Sequence, residues 1–195
     1  MDFIFIIGPS AVGKTTLARE LYKRYNGVYF EQNMVPEFCI PAETEDPGLY
    51  EEQLCWDNVL NQLRFFYANG LRNIVALDFD DIRAKELPMI FKGYNFIILR
   101  LFSSNPSQIK EQMEQRKNSE GGLYMPNYVE RSNSVIMNRK LLPNEVKIDV
   151  AGKTRSAVLQ TAISVIDSFV AQTNYDYDPD KEQDYLSWVQ SRQLY

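Results

Sequence analysis

Histidine is absent from this chain of 195 residues, and cysteine occurs only twice, at Cys39 and Cys55. Without histidine, acid–base chemistry near neutral pH has to use carboxylates, lysine, tyrosine or water. The two cysteines form no disulfide framework and have no metal-binding neighbours in the sequence, so we expect two reduced and mostly packed thiols in a cytoplasmic protein.

Long apolar runs are missing as well. No stretch approaches the roughly 18 uninterrupted apolar residues that a membrane-spanning helix needs. The first apolar run, residues 3–7, follows Asp2 instead of a basic segment, so we expect neither a signal peptide nor a membrane partner. Basic residues are the minority, with 21 Lys and Arg against 26 Asp and Glu and a net charge of −5. That balance disfavours nucleic acid as the main partner.

The composition is that of a folded domain, with 45% hydrophobic and 13% aromatic residues. Short apolar segments alternate with longer amphipathic ones, which predicts an α/β fold with a parallel sheet covered on both faces. The predicted strands are 3–7, 28–30, 73–77, 95–102 and 145–150. The predicted helices are 13–25, 49–69, 106–117, 128–140 and 154–171. We expect one domain over residues 1–172 and a tail over 173–195 with a short docking helix.

The stretch GPSAVGKTT directly follows the first predicted strand and precedes a predicted helix. Residues 8–15 fit the pattern G-x-x-x-x-G-K-[ST] without a mismatch. Its two glycines permit backbone angles that a Cβ would block, so successive N–H groups can surround an anion beside the positive end of the helix. We therefore predict a phosphate-binding loop rather than a Gly-rich turn with an incidental lysine. Its nucleotide-binding residues are Gly8, Ser10, Ala11, Val12, Gly13, Lys14, Thr15 and Thr16.

Two side chains of this loop carry the expected chemistry. Lys14 can reach the outer phosphates of a nucleotide as a mobile cation. Thr15 can offer its hydroxyl to Mg²⁺, a cation that prefers oxygen ligands and keeps several waters. The loop therefore predicts a site for a nucleoside triphosphate together with Mg²⁺.

With this loop, and in the order and length of its elements over about residues 1–171, the chain resembles the P-loop small-molecule kinases. These include nucleoside, nucleotide, shikimate and gluconate kinases. The resemblance implies a three-layer α/β/α fold with a five-stranded parallel sheet in the order 2-3-1-4-5, and a cleft at the carboxyl ends of the strands. It also implies a lid between the fourth and fifth strands, at about residues 116–130, and ATP and Mg²⁺ as cofactors.

The same resemblance implies roles for three further side chains. Glu31 lies just past the second predicted strand, where such kinases carry the carboxylate that contacts the acceptor hydroxyl. Asp78 ends the third strand and would hold a metal-bound water or meet the acceptor. Arg116 lies at the start of the lid, where an arginine would close over the transferring phosphoryl group. Residues 146–154 resemble the fifth strand and the loop that lies against the adenine.

Glu31, Arg116 and the nearby Asp81 each have a plainer interpretation. Glu31 is otherwise a solvated strand end. Arg116 is otherwise part of an exposed basic helix end, which the helix dipole favours. Asp81 is more readily the N-cap of the next helix, which leaves Asp78 and Asp80 as the functional candidates.

Other side chains are predicted to be mainly structural. We interpret Arg131 and Arg139 as surface charge, although both could face phosphate. Trp56 belongs to an aromatic stripe with residues 65–66 that is more often core than substrate platform. The apolar side chains of the proline-bearing loop at 33–48 could instead line an acceptor pocket.

The prediction is an ATP-dependent kinase that phosphorylates a nucleoside, a nucleotide or a shikimate-like hydroxyl compound. A shikimate acceptor is disfavoured because no Gly-Gly-Gly follows the third strand. The chain also departs from nucleoside kinases, because their Asp-Arg-Ser is Asp-Phe-Asp at residues 78–80 and the arginine is missing. The guanine-reading Asn-Lys-x-Asp of GTPases is absent. The alternatives are a nucleotide-binding regulatory ATPase without a small-molecule acceptor, and a kinase acting on a peptide.

Overall fold

The computed structural model describes residues 1–77, 82–120 and 126–178. Five strands form one parallel sheet in the order β2-β3-β1-β4-β5, which confirms the predicted order. The strands are β1 Phe3–Ile7, β2 Val28–Glu31, β3 Asn73–Ala76, β4 Phe96–Phe102 and β5 Glu145–Asp149. Because β1 lies at the centre, the loop that follows it opens at the middle of the sheet's carboxyl edge.

Helices connect the strands, as the alternating pattern predicts. They are α1 Lys14–Arg24, α2 Pro47–Ala68, α3 Leu87–Ile90, α4 Pro106–Glu120, α5 Pro126–Asn138 and α6 Arg155–Ser168. The helix predicted to end before Asn118 continues to Glu120, so that part of the prediction is wrong. The helix expected after Asp81 is a 3-10 turn, Ile82–Lys85, followed by the short helix α3, and its bounds were not predicted because four residues are too few to show a helical period. Among the described residues, no helix is long and apolar enough to cross a membrane.

Successive side chains of the central strand point to opposite faces, and each face has its own core. Ile4 and Ile6 pack with residues of α1, α4, α5 and α6. Phe3 and Phe5 pack on the other face with residues of α2 and α3. Trp56 of α2 is 1% exposed in this second core, which confirms its structural interpretation. The three-layer α/β/α architecture is therefore as predicted.

A buried ion cluster ties α5 to the sheet. Arg100, in the middle of β4, is 0% exposed and donates through Nε and Nη2 to both carboxylate oxygens of Glu145, at 2.8 and 2.6 Å. Its Nη1 donates to the carbonyls of Ile136 and Arg139, both at 2.7 Å. Arg139 also donates to Glu145, at 2.7 Å. The interpretation of Arg139 as surface charge is therefore wrong, because its side chain serves a buried carboxylate.

The chain after α6 crosses to the α3 side of the sheet. Gln172 exchanges two backbone hydrogen bonds with the Asn144 side chain, at 2.8 and 2.9 Å. The Tyr175 hydroxyl then donates to the Pro88 carbonyl in α3, at 2.5 Å. The Tyr177 hydroxyl donates to the Lys85 carbonyl in the 3-10 turn, at 3.0 Å. Both rings join the second core. The predicted docking helix after this segment lies outside the described residues.

Candidate phosphate-binding site

The predicted phosphate loop occupies the turn between β1 and α1. β1 ends at Ile7 and α1 begins at Lys14, so the strand–loop–helix context of the sequence motif is present. Gly8 and Pro9 are buried, whereas residues 10, 11 and 13–15 are half-buried and face the carboxyl edge of the sheet. The loop is thus anchored at its start and accessible where a ligand would bind.

The loop's path depends on backbone angles that favour glycine. Gly8 has φ +154°, and a Cβ added there would lie 2.6 Å from the carbonyl oxygen of Leu101 in β4. Gly13 has φ +102° but no atom within 4 Å of an added Cβ. Ala11 also adopts a left-handed conformation, with φ +64°. The loop therefore combines one close backbone contact, at Gly8, with left-handed turns at Ala11 and Gly13.

We expect the two glycine positions to respond differently to alanine. Gly8→Ala adds a steric clash with a buried strand to backbone strain, whereas Gly13→Ala adds strain alone. Gly13→Ala should cost about 1–3 kcal/mol of unfolding free energy, and Gly8→Ala should cost more. Chemical denaturation of both variants measures this difference. Equal losses would mean that the approach of Gly8 to Leu101 does not constrain the loop.

The start of α1 provides the electrostatics of an anion site. The first intrahelical bond joins Leu17 N–H to the Gly13 carbonyl at 3.0 Å, and the capping residue is a glycine with no side-chain acceptor. First-turn amides such as those of Thr15 and Thr16 have no intrahelical acceptor. The first turn of α1 also lacks acidic residues that would compete with an anion. These groups suit a phosphate chain.

The Lys14 ammonium folds back over the loop. Its Nζ donates to the carbonyl oxygens of Gly8, at 2.9 Å, and Pro9, at 3.2 Å. A bound phosphate would accept charge-assisted hydrogen bonds from this half-buried ammonium, and such bonds are the stronger kind. The cation therefore lies over the position that the helix start and the loop amides make favourable for phosphate.

Glu31 ends β2 and is half-buried rather than fully solvated. Its carboxylate accepts a hydrogen bond from the hydroxyl of Tyr29. The Tyr29 ring stacks on Tyr22 of α1, with centroids 5.8 Å apart, and the Arg19 guanidinium lies 5.8 Å from its centre. Burial and the bond to Glu31 raise the pKa of Tyr29 to about 12. Tyr29 therefore stays protonated at neutral pH and keeps donating to the carboxylate.

The other predicted catalytic residues are less closely defined. Arg116 is exposed in the penultimate turn of α4, which packs against α5. Asp78, with its neighbours at 79–81, lies outside the described residues, as do residues 121–125 of the predicted lid. The roles of Asp78 and Arg116 therefore stay predictions.

An arginine that the sequence did not single out organises the region after β3. Arg83 is 7% exposed and donates to Glu52 at 2.9 Å, to Gln53 at 2.8 Å and to Glu86 at 2.8 Å. Burial alone would lower its pKa, but the carboxylates of Glu86 and Glu52 raise it overall. The network joins α2 to the 3-10 turn Ile82–Lys85 and to Glu86. No spacing signal could reveal it, because Glu52 and Arg83 are 31 residues apart.

The loop between β2 and α2 carries exposed apolar side chains. Phe38 is 41% exposed and Met34 is 43% exposed, directly after Glu31 at the sheet's carboxyl edge. Cys39, next to Phe38, is exposed as well, so the expectation of packed thiols fails there. An acceptor-binding role for these residues stays a prediction.

The loop after β5 is clasped to the start of α4. Asp149 accepts hydrogen bonds from the backbone N–H groups of Ser104 and Ala151, both at 3.0 Å. Partial burial would raise the pKa of Asp149, but the bonds from Ser104 and Ala151 outweigh it and hold the pKa below its ordinary value. Gln108 of α4 accepts from Gly152 N–H at 2.9 Å. Side chains of β5 and α4 therefore fix this loop, for which the resemblance implies a position against the adenine.

No family model matches this chain, and no curated protein does. Solved structures do. A sugar kinase from a Janibacter species has a TM-score of 0.58 at 17% identity, over 86% of this chain and 95% of that one. A gluconokinase from Sinorhizobium meliloti has a TM-score of 0.56 at 14% identity, over 84% and 90%. A deoxyadenosine kinase from M. mycoides has a TM-score of 0.50 at 16% identity, over 86% and 100%.

These matches confirm the resemblance to P-loop small-molecule kinases at the level of the fold. Identities of 14–17% define the architecture and leave the substrate open. The chain therefore has the kinase-type P-loop fold, with the phosphate loop at the expected place in it.

Proposed function

We propose that this chain is an ATP- and Mg²⁺-dependent kinase that transfers the γ-phosphoryl group to a small molecule. One observation carries the proposal: the Lys14 ammonium lies over a glycine-shaped loop at the start of α1. Backbone groups of residues 8–16 would hold the β- and γ-phosphates, and Lys14 would neutralise charge on the transferred group. Phosphoryl transfer needs positioning and electrostatics more than covalent chemistry, so a chain without histidine can perform it.

The residues present fit a magnesium nucleotide. Thr15 is half-buried in the first turn of α1, where its hydroxyl can serve as one oxygen ligand, and Asp78 would orient a metal-bound water. When bound, Mg²⁺ would neutralise developing charge on the phosphates. Arg116, from the end of α4, would add positive charge if the lid closes over the site.

The acceptor would bind beside Glu31, whose carboxylate is held by Tyr29. A held carboxylate can orient a hydroxyl for attack and accept its proton. A nucleoside or nucleotide is the favoured acceptor, since the sequence after β2 resembles nucleoside kinases and a deoxyadenosine kinase is among the matched structures. The exposed apolar side chains of Met34 and Phe38 could pack against its base.

A phosphotransfer assay over pooled nucleosides, nucleotides, sugars, polyols and peptides tests the proposal. We expect ADP release that depends on one pool, with nucleosides or nucleotides first. Lys14→Ala in the same assay separates this activity from contaminating kinases. Slow ADP release that no pool accelerates would instead support the regulatory ATPase, and dependence on the peptide pool would move the acceptor to a macromolecule.

A further inference from the structure

Residues 151–153, in the loop after β5, form a tight turn whose three backbone N–H groups all donate inside the chain. Lys153 N–H donates to the Val150 carbonyl at 3.1 Å, and Ala151 N–H donates to Asp149 at 3.0 Å. Gly152 adopts φ +65° between them, and its N–H donates to Gln108 Oε1 at 2.9 Å. Residues 151–153 therefore have only carbonyl oxygens left for hydrogen bonding a ligand through the backbone.

The distance between the phosphate loop and this turn can be spanned by a nucleotide. β5 is two strands from β1 in the sheet, so the carboxyl ends of these strands, which the turn and the phosphate loop follow, are about 10 Å apart. A nucleoside triphosphate with its phosphates on α1 can extend its base over that distance. A turn offering carbonyl oxygens accepts from the 6-amino group of adenine, whereas it repels the 6-oxo group of hypoxanthine or guanine.

Gln108 is the side chain that keeps this turn free of donors. Its Oε1 accepts from Gly152 N–H, and its Nε2 donates back to the Val150 carbonyl at 3.4 Å. Gln108 is half-buried in the first turn of α4. It reaches the turn from a helix whose Ile109 and Met113 pack in the first core. Without it, the Gly152 N–H would become a donor that a 6-oxo base could use.

We infer that Gln108 is a positioning residue that sets selectivity for a 6-amino purine, by occupying the Gly152 N–H and fixing the turn at 151–153. The inference rests on the proposed function, because it concerns the base of the triphosphate that the phosphate loop would hold. Gln108 acts through the turn and does not touch the reacting atoms.

The test compares ATP with inosine triphosphate, which differ at the purine 6-position, and with inorganic tripolyphosphate, which has no base. The binding constants of the wild-type chain and three variants are measured by calorimetry with Mg²⁺. Gln108→Leu removes both hydrogen bonds, Gln108→Asn keeps the amide but is too short to reach the turn, and Gln108→Glu keeps the acceptor for Gly152. Gln160→Leu, an exposed glutamine on α6, is the matched control.

We expect the wild-type chain to prefer ATP over inosine triphosphate by about tenfold, as one gained and one avoided polar contact imply. Gln108→Leu and Gln108→Asn should narrow that preference to about twofold, whereas Gln108→Glu and Gln160→Leu should keep it. Tripolyphosphate should bind all of them equally. Thermal unfolding of each variant shows that the changed selectivity belongs to a folded chain.

The outcomes separate the two proposals. If the wild-type chain binds ATP but Gln108→Leu and Gln108→Asn keep the full preference for ATP over inosine triphosphate, the inference about Gln108 is wrong and the proposed function stands. The same holds if ATP binds no better than tripolyphosphate, since the turn then does not contact a base. If no triphosphate binds, the proposed function fails first.

Discussion

Replacing Lys14 by alanine should reduce the phosphoryl-transfer rate by about 10²–10³-fold while the chain remains folded. The loss follows from removing a preorganised cation from a transition state in which charge develops on the transferred group. The fold should persist because the Lys14 side chain belongs to neither hydrophobic core, and its ammonium donates to carbonyls of its own loop. Steady-state rates at saturating ATP, with circular dichroism of the same preparations, measure both effects.

Lys23→Ala is the matched control for this variant. Lys23 lies on the same helix, and its exposed side chain pairs only loosely with Glu20, at 3.8 Å. Its removal should leave the rate within about twofold of the wild type, since exposed pairs contribute little. A Lys14→Ala enzyme that retains full activity would end the assignment of this lysine to the phosphate site.

The second large effect concerns stability rather than activity. Glu145→Gln should destabilise the chain by about 3–5 kcal/mol, because it leaves the Arg100 guanidinium buried without its counter-charge. For a chain of this size, that corresponds to a fall in melting temperature of roughly 10 °C. The loss also removes the carboxylate that accepts from Arg139 and from Leu142 N–H. Denaturant unfolding followed by tryptophan fluorescence measures it.

Glu20→Gln gives the comparison for an exposed carboxylate. Its partner Lys23 is solvent-exposed, so we expect a change within about 0.5 kcal/mol. If Glu145→Gln costs no more than Glu20→Gln, the ion cluster does not hold α5 to the sheet in the way its hydrogen bonds suggest.

The fold could be predicted because it depends on local patterns. The continuous apolar run at Phe3–Ile7 is typical of a strand buried on both faces, and the structure buries all five residues. Strands separated by helices restrict the sheet to a few parallel orders, and the resemblance selected the observed one. The end of α4 was harder, because Asn118 and the residues after it tolerate either helix or loop.

The phosphate loop could also be predicted, because its residues are contiguous and the binding of a phosphate explains the residue type at each fixed position of the motif. Glu31 was expected just past the second strand and is its last residue. Its bond to Tyr29 joins side chains two residues apart on one face of β2, which a strand predicted to end at residue 30 did not show. Its role with the acceptor stays a prediction.

The clusters that the sequence did not reveal are all long-range. Arg100 and Glu145 are 45 residues apart, and Gln108 and Gly152 are 44 apart. A charged residue inside the apolar strand at Phe96–Phe102 does signal a buried partner, but not which one. Such pairings arise only when the sheet brings β4 and β5 side by side.

The most direct test of the account is a calorimetric titration of the wild-type chain with ATP and Mg²⁺, alongside Gly8→Ala and Lys14→Ala. We predict saturable binding with one site per chain, weakened in both variants, because the loop amides and the ammonium both hold the phosphates. Absence of binding heat, with no shift in melting temperature on adding the nucleotide, would contradict the central claim that this loop grips a triphosphate.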